Sequence, residues 1–221
     1  YKSIPLSNAR NLALKKIYTE EFYIRRNALI MFTDDDAWFP LETLHYLLEC
    51  QIKAFSLKTK DPISNKSFSK VKKISGEIKG WHLVHDIVSI CLVLPLHELV
   101  KTKLYFNEKL GLGNKISQGE ESLFIYELSK TGVRIYYDTH IIYHPYKKTF
   151  NIKNFYSMAY FWAFGFSKVS PMFLLPLLKY TIKYSIALGL VVRDQRYFKI
   201  TINVWKGILD GIKDTEKILS Q

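Results

Sequence analysis

Short apolar runs alternate with amphipathic stretches along the first two thirds of the chain. The run Ala28–Phe32 is wholly apolar, which is typical of a strand buried on both faces of a sheet. Pro40 then precedes three leucines at the helical spacing i, i+3, i+7, and these are Leu41, Leu44 and Leu48. The segment Ile87–Leu96 is apolar again and predicts another strand. This alternation of strands and helices predicts an α/β domain.

Capping and turn residues predict where further elements begin and end. Ser7 has the side chain of an N-cap for a first helix. Residues 56–80 are rich in lysine and serine and weakly periodic, so we expect a loop with an irregular strand there. A capping box, Ser117 and Glu120, predicts a helix through Lys130 that closes at Gly132.

Two short strand-like pieces, Val133–Tyr137 and His140–Tyr143, follow that helix and end at Pro145. From Asn154 the pattern is helical. We therefore expect an α/β domain over residues 1–150 and a helical tail over residues 151–221.

The tail is basic, with 12 Lys and Arg against 4 Asp and Glu from Pro145 onwards. Its apolar stretches are interrupted by charges too often for the ~20 apolar residues of a membrane-spanning helix, at Lys168, Lys179, Lys183 and Arg193. A basic, aromatic-rich and apolar tail of this kind fits an element that lies on a membrane surface, through an aromatic cluster within residues 155–166. Helices packed on the core fit the same pattern, and both interpretations stay open here.

Composition narrows the class of protein. With 48% hydrophobic and 24% charged residues in 221, the chain is globular and not disordered. Two cysteines, Cys50 and Cys91, cannot form a disulfide framework, so we expect a reducing compartment. The net charge of +12 indicates an anionic partner. The lysines are scattered among apolar residues without a nucleic-acid-binding motif, so we expect no nucleic acid partner.

Three adjacent carboxylates, Asp34, Asp35 and Asp36, follow the first apolar run directly. Ligands bind at the carboxyl ends of strands in open α/β sheets, and crowded carboxylates repel one another unless a cation compensates them. Such hard oxygen ligands suit Mn²⁺ or Mg²⁺ shared with substrate phosphates. An acidic turn before the helix at Pro40 is the alternative.

A second polar group comes later in the chain. Glycines at 111 and 113 precede the pair Glu120 and Glu121, and His144 follows the last strand-like piece. Glu120 has a local role in the capping box, whereas Glu121 has none and is a candidate general base. His144 is a candidate metal ligand, with a structural histidine as the alternative.

In this order the motifs resemble those of family 2 glycosyltransferases with the GT-A fold. The resemblance covers residues 7–145 and rests on five pieces, which are Ser7–Asn11, Asp34–Asp36, Phe106–Gly111, Gly119–Glu121 and His144–Pro145. It implies a Rossmann-like nucleotide-sugar-binding domain without its first βα units, so we expect on the order of 60–80 further residues before Tyr1.

The resemblance also implies roles for individual residues. Asp36 and His144 would bind Mn²⁺ or Mg²⁺, and Glu121 of the pair Glu120–Glu121 would be the catalytic base. The residues implied in donor binding are Arg10, Asn11, Asp34 and Asp35.

The implied activity is inverting transfer of a sugar from a nucleotide-sugar donor to a glycan or lipid-linked acceptor. The basic tail is similar to that of bacterial members that make surface polysaccharides, which implies a cytoplasmic, peripheral location at the inner face of the cell membrane. The alternative is an inactive glycosyltransferase fragment that only binds a membrane or a partner protein.

Overall fold

The computed structural model describes residues 4–19, 28–50, 53–67, 76–145, 152–166, 175, 179 and 195–219. The chain divides into two compact units. We call them the sheet unit (Asn8–Asn107 and Glu121–Lys148) and the helical unit (Tyr1–Ser7, Glu108–Glu120 and Thr149–Gln221).

Helices and strands are interspersed in the described residues up to β4, and two described helices follow. In chain order the elements are α1 (Leu6–Thr19), β1 (Leu29–Met31), α2 (Leu41–Glu49), β2 (Ala54–Lys60), α3 (Trp81–His85), β3 (Leu92–Pro95), α4 (Leu96–Thr102), α5 (Glu120–Lys130), β4 (Ile135–Tyr143), α6 (Ile152–Phe166) and α7 (Gln195–Leu219). The predicted mixed α/β class with a helical C-terminal part is therefore confirmed.

The four described strands form one sheet in the order β1-β3-β2-β4. β3 is antiparallel to both of its neighbours, while β2 and β4 are parallel. Phe55 of β2 pairs with Val93 on one side and with Tyr136 on the other. The sheet thus brings the C-terminal end of β4 alongside the end of β2, where His144 donates its backbone N–H to the Lys60 carbonyl at 3.0 Å.

The core lies on both faces of this sheet because successive strand residues point to opposite sides. On one face Leu92, Leu94 and Ile135 pack with Ile125 and Leu128 of α5. On the other face the buried residues pack against α2, and they are Phe55, Leu57, Cys91, Val93 and Ile142.

The structure differs from the sequence pattern at three points in the sheet and its neighbours. β1 is half-buried, because among the described strands it pairs with β3 alone and forms an edge. Residues 54–60 form a well-buried strand, where a loop with an irregular strand was expected. The helix expected after Pro40 forms as α2, but its leucines lie outside the core, with Leu48 84% exposed, because α2 packs through Tyr46 and Leu47 instead.

Four element boundaries also differ from the predictions. Ser7 lies inside α1, and its hydroxyl donates to the Leu110 carbonyl. Helix α5 begins at Glu120, so Ser117 does not cap it. The apolar segment Ile87–Leu96 contains a 3₁₀ turn before β3, and the two pieces expected over 133–143 form the single strand β4.

In the helical unit, α6 and α7 pack closely through two glycines of α7. A Cβ on Gly207 would lie 2.5 Å from the Tyr156 carbonyl oxygen, and one on Gly211 would lie 2.5 Å from that of Tyr160. Only glycine permits this approach.

Three aromatic residues of α6, Tyr160, Phe161 and Trp162, are buried. They are therefore not free to settle on a membrane, as was expected of the aromatic cluster. Lys168, Lys183 and Arg193, three of the charges that interrupt the apolar stretches of the tail, lie outside the described residues. None of the described helices has the length and apolar character needed to cross a membrane.

Candidate functional site

The acidic turn after β1 is held against the end of β4 by a small backbone bridge. Trp38 and Tyr143 exchange both backbone hydrogen bonds, at 3.0 and 2.9 Å, and their rings stack with centroids 5.6 Å apart. Within the turn, the Ala37 N–H donates to the Asp34 carbonyl at 3.2 Å. Residues more than a hundred positions apart in sequence are thereby brought to one place in the sheet unit.

Two carboxylates of the turn converge on one imidazole nitrogen. His144 Nε2 lies 3.3 Å from Asp34 Oδ2 and 3.0 Å from Asp36 Oδ1. One candidate ligand atom from each of the three residues lies within 4.8 Å of the other two. We call Asp34, Asp36 and His144 the acidic–histidine cluster.

The surroundings of Asp34 disfavour the charged form of its carboxyl group. Burial raises the pKa of Asp34, and the charges of Glu121 and Asp36 raise it further, although His144 and Arg10 act in the opposite direction. A carboxylate whose pKa is raised by burial and by like charges is one that a bound cation would stabilise.

The donor set of the cluster fits a divalent metal ion of the manganese or magnesium type. Two carboxylate oxygens are hard ligands that both ions accept, and an imidazole nitrogen is better suited to Mn²⁺ than to Mg²⁺. Three protein ligands leave further coordination positions for water or a substrate oxygen. The neighbouring Asp35 is exposed and lies outside the cluster.

A second polar network in the sheet unit surrounds Glu121. The Ser89 backbone N–H and hydroxyl donate to the two Glu121 carboxylate oxygens at 3.1 and 2.5 Å. The Arg10 guanidinium contacts the same carboxylate at 3.5 Å and donates to the Ser89 hydroxyl at 2.9 Å. These donors fix the orientation of the Glu121 side chain.

Arg10 is positioned by aromatic residues as well as by these polar contacts. Its guanidinium carbon lies 5.2 Å from the ring centroid of Phe106 and 5.8 Å from that of Phe32. The side chain is only 7% exposed, so its positive charge acts at short range on its neighbours. Since the charges of both Arg10 and Glu121 affect the pKa of Asp34, the network and the acidic–histidine cluster are electrostatic neighbours.

Two other predicted site residues, Asn11 and Glu120, are buried among neighbouring parts of the chain. The Asn11 side-chain amide donates to the Phe106 carbonyl at 2.9 Å and accepts from the Phe106 N–H at 2.7 Å. Glu120 is buried in the helical unit beside Gly111, where an added Cβ would lie 2.9 Å from the Glu120 Cδ. The structure thus brings together Asp34, Asp36 and His144, and separately Arg10 and Glu121.

Ser89 is the residue of this site that the sequence did not indicate. It lies in the 3₁₀ turn before β3, 32 positions from the glutamate it contacts. Serine is common and has no characteristic spacing to Glu121, so only the folded arrangement reveals it.

Structural comparison places the chain among known folds. A crystal structure of S. aureus TarS 1–349 in complex with UDP matches with a TM-score of 0.51 and 14% identity, over 96% of this chain and 70% of that one. The complex of the same protein with UDP-GlcNAc matches with a TM-score of 0.52 and 15% identity, over 99% and 73%. TarS is a glycosyltransferase.

The chain has a glycosyltransferase fold. A TarS 1–349 structure described without a nucleotide agrees, with a TM-score of 0.50, 14% identity and coverage of 97% and 71%. No family model matches the sequence, and no curated protein matches it either. Membership of family 2 in particular therefore remains an inference from the motifs.

Proposed function

We propose that the chain is a metal-dependent glycosyltransferase that takes a sugar from a nucleotide-sugar donor. The observation that carries this proposal is the acidic–histidine cluster, in which carboxylate and imidazole ligand atoms lie within 4.8 Å of one another on a glycosyltransferase fold. The TarS structures with UDP and UDP-GlcNAc support the choice of donor class.

In this proposal Asp34, Asp36 and His144 hold Mn²⁺ or Mg²⁺. When bound, the ion would supply positive charge for the diphosphate of the donor. Asp35, which is exposed on the same turn, and Arg10 and Asn11 are proposed to assist donor binding, as the motif resemblance implies. Asp34 combines this donor role with a place among the metal ligands.

Glu121 is proposed as the general base. Its carboxylate is held by Ser89 and Arg10, and it retains 27% exposure of its side chain, so a hydroxyl group can approach it. The acceptor oxygen would lose its proton to this carboxylate while it forms a bond to the anomeric carbon. The bond between that carbon and the diphosphate oxygen breaks on the opposite side, so the configuration inverts. Glu120 is the alternative base within the pair.

The acceptor is proposed to be a glycan or a lipid-linked sugar in bacterial surface-polysaccharide synthesis. This placement puts the protein in the cytoplasm, peripheral to the inner face of the membrane. It rests on the motif resemblance and on the basic character of the C-terminal part.

The experiment is a thermal-shift screen of nucleotide sugars with and without Mn²⁺, followed by a turnover assay for the best donor. We expect a donor to raise the melting temperature only when the metal is present, since the two would bind together. Asp36→Asn changes the acidic–histidine cluster. Asp138→Asn, at an aspartate of β4 outside the cluster, is the matched control. The proposal would be contradicted if a donor raised the melting temperature equally without Mn²⁺. It would also be contradicted if Asp36→Asn and Asp138→Asn lost the metal-dependent rise in melting temperature to the same extent.

A further inference from the structure

The outward side of α7 carries a stripe in which lysines and apolar residues alternate. Successive members are three and four residues apart, so they lie along one side of the helix, and they are Lys199, Ile202, Lys206, Leu209 and Lys213. Trp205 lies beside them. Ile202, Trp205 and Leu209 are 66%, 53% and 65% exposed, and all three lysines are exposed. We call these six residues the lysine–apolar stripe.

The opposite side of α7 is the one that packs within the helical unit. Ile200 and Val204 are buried, and Gly207 and Gly211 lie against the backbone of α6. The stripe is therefore not needed for packing against α6, and its exposed apolar side chains call for another explanation.

The two acidic side chains described on α7 are turned away from the stripe. Asp210 accepts a hydrogen bond from the Tyr156 hydroxyl at 2.7 Å, and Asp214 accepts one from the Tyr160 hydroxyl at 2.7 Å. Both tyrosines belong to α6, so these two negative charges point inwards. The outward side of the described helix is consequently positive as well as apolar.

We propose that the lysine–apolar stripe docks the protein on an anionic lipid surface, with α7 lying in the plane of that surface. Exposed apolar side chains would enter the interface between headgroups and acyl chains, where tryptophan is favoured, while lysines would meet the anionic headgroups. The charge pattern argues against a second copy as the occupant. Two such stripes facing each other would bring lysines together at the centre of the contact.

This inference deepens the membrane part of the proposed function and moves it to a different surface. Tyr160, Phe161 and Trp162 of the aromatic cluster on α6 are buried, whereas the stripe on α7 is exposed. Binding to vesicles requires neither donor nor turnover, so failure of the stripe and failure of the glycosyltransferase proposal give different results.

The test is co-sedimentation of the full chain with vesicles of phosphatidylcholine alone and of phosphatidylcholine mixed with phosphatidylglycerol. We expect binding to the mixed vesicles only, and weaker binding at high salt because exposed charges are screened. Leu209→Ser should lower the binding about tenfold, since it removes an apolar group from the interface. Leu48→Ser is the matched control, because Leu48 is at least as exposed but lies on α2.

The charge arm uses two triple variants that each remove three positive charges. Lys199→Gln, Lys206→Gln and Lys213→Gln together should weaken binding on the order of a hundredfold. The same change at the exposed Lys15, Lys101 and Lys115 should have a much smaller effect. Circular dichroism and melting temperature show that each variant is folded.

Three results would overturn the proposal. These are equal binding to neutral vesicles, equal losses in the stripe and control variants, and a concentration-dependent dimer that Leu209→Ser abolishes while vesicle binding stays unchanged. The last result would identify a second copy of the chain as the occupant of the stripe.

Discussion

Two aspartate–histidine clusters lie within β4 and at its end, and the pKa of an aspartate is shifted in opposite directions in the two. In the first, Asp34 and Asp36 share one nitrogen of His144, just beyond the end of β4. In the second, within β4, Asp138 accepts hydrogen bonds from the Tyr46 hydroxyl at 2.5 Å and from the His140 backbone N–H at 2.9 Å. Its carboxylate also lies 2.8 Å from the His140 ring nitrogen.

The pKa shifts follow from this difference in partners. Burial raises the pKa of Asp34, and neighbouring carboxylates add to the effect. Burial also acts to raise the pKa of Asp138, but the hydrogen bonds from Tyr46 and His140 outweigh it and the pKa is lowered. Hydrogen-bond donors of the chain stabilise the negative charge of Asp138, whereas the carboxylates of Asp34 and Asp36 lie close together at one imidazole nitrogen. An aspartate beside a histidine is therefore a structural pair in one place and a candidate metal site in the other.

Glu121 resembles Asp138 in that its carboxylate accepts hydrogen bonds from the chain, yet it is proposed as the catalytic base. Glu121→Gln keeps the shape of the side chain but removes the proton acceptor, so turnover should fall by ~10²–10⁴ while donor binding is kept. Steady-state kinetics with the donor found in the thermal screen measure this effect. Asp138→Asn is the control and should retain turnover. If Glu120→Gln proved the more damaging change, the assignment of the base would be wrong.

Asp138→Asn should lower the free energy of unfolding at neutral pH by about 2–3 kcal/mol, because donors around the site lose a charged acceptor. The folded-state pKa lies below the unfolded value, so this stability is present above ~3.9, the ordinary pKa of aspartate. It is lost as the pH falls through the folded-state pKa. Urea unfolding from neutral to acid pH should show the difference between wild type and variant narrowing. A difference that stays constant with pH would contradict the account of Asp138.

Tyr46→Phe removes one donor to Asp138 and keeps the stacking on His140, whose ring centroid lies 3.7 Å away. We expect a smaller loss, ~1–2 kcal/mol in the free energy of unfolding, measured by urea denaturation. Tyr105→Phe, at an exposed tyrosine on a different part of the sheet unit, is the control. An effect as small as that of the control would show that the hydroxyl contributes little to the second cluster.

The sequence was sufficient to predict the mixed α/β class, because a wholly apolar run followed by carboxylates is a local signal. The pairing of Asp36 with His144 was implied only by the motif resemblance, and the two side chains lie 3.0 Å apart. It was insufficient for β2, whose lysines and serine concealed a strand that is buried in the sheet. Nor did it indicate which side of α2 packs inwards, because that side is set by partners distant in sequence. Thr43 donates its hydroxyl to the Ile141 carbonyl at 2.8 Å, and Tyr46 reaches Asp138.

The second cluster and Ser89 were missed for the same reason. Their contacts join positions 92 and 32 residues apart, and no periodicity within one segment reports such a pairing. The close approach of α6 and α7 likewise depends on Gly207 and Gly211, and the Tyr160 hydroxyl of α6 donates to Asp214 of α7.

The most direct test of the account is calorimetric titration of Mn²⁺, in the presence of a nucleoside diphosphate, into wild type, Asp36→Asn and Asp138→Asn. Wild type and Asp138→Asn should bind alike. Asp36→Asn should lose more affinity than the ~10–100-fold that removal of an outer partner of a metal site costs, because it removes a ligand itself. Its melting temperature without metal should not fall, since the substitution relieves crowding of carboxylates. Equal affinity in all three proteins would show that the acidic–histidine cluster is only a turn before α2.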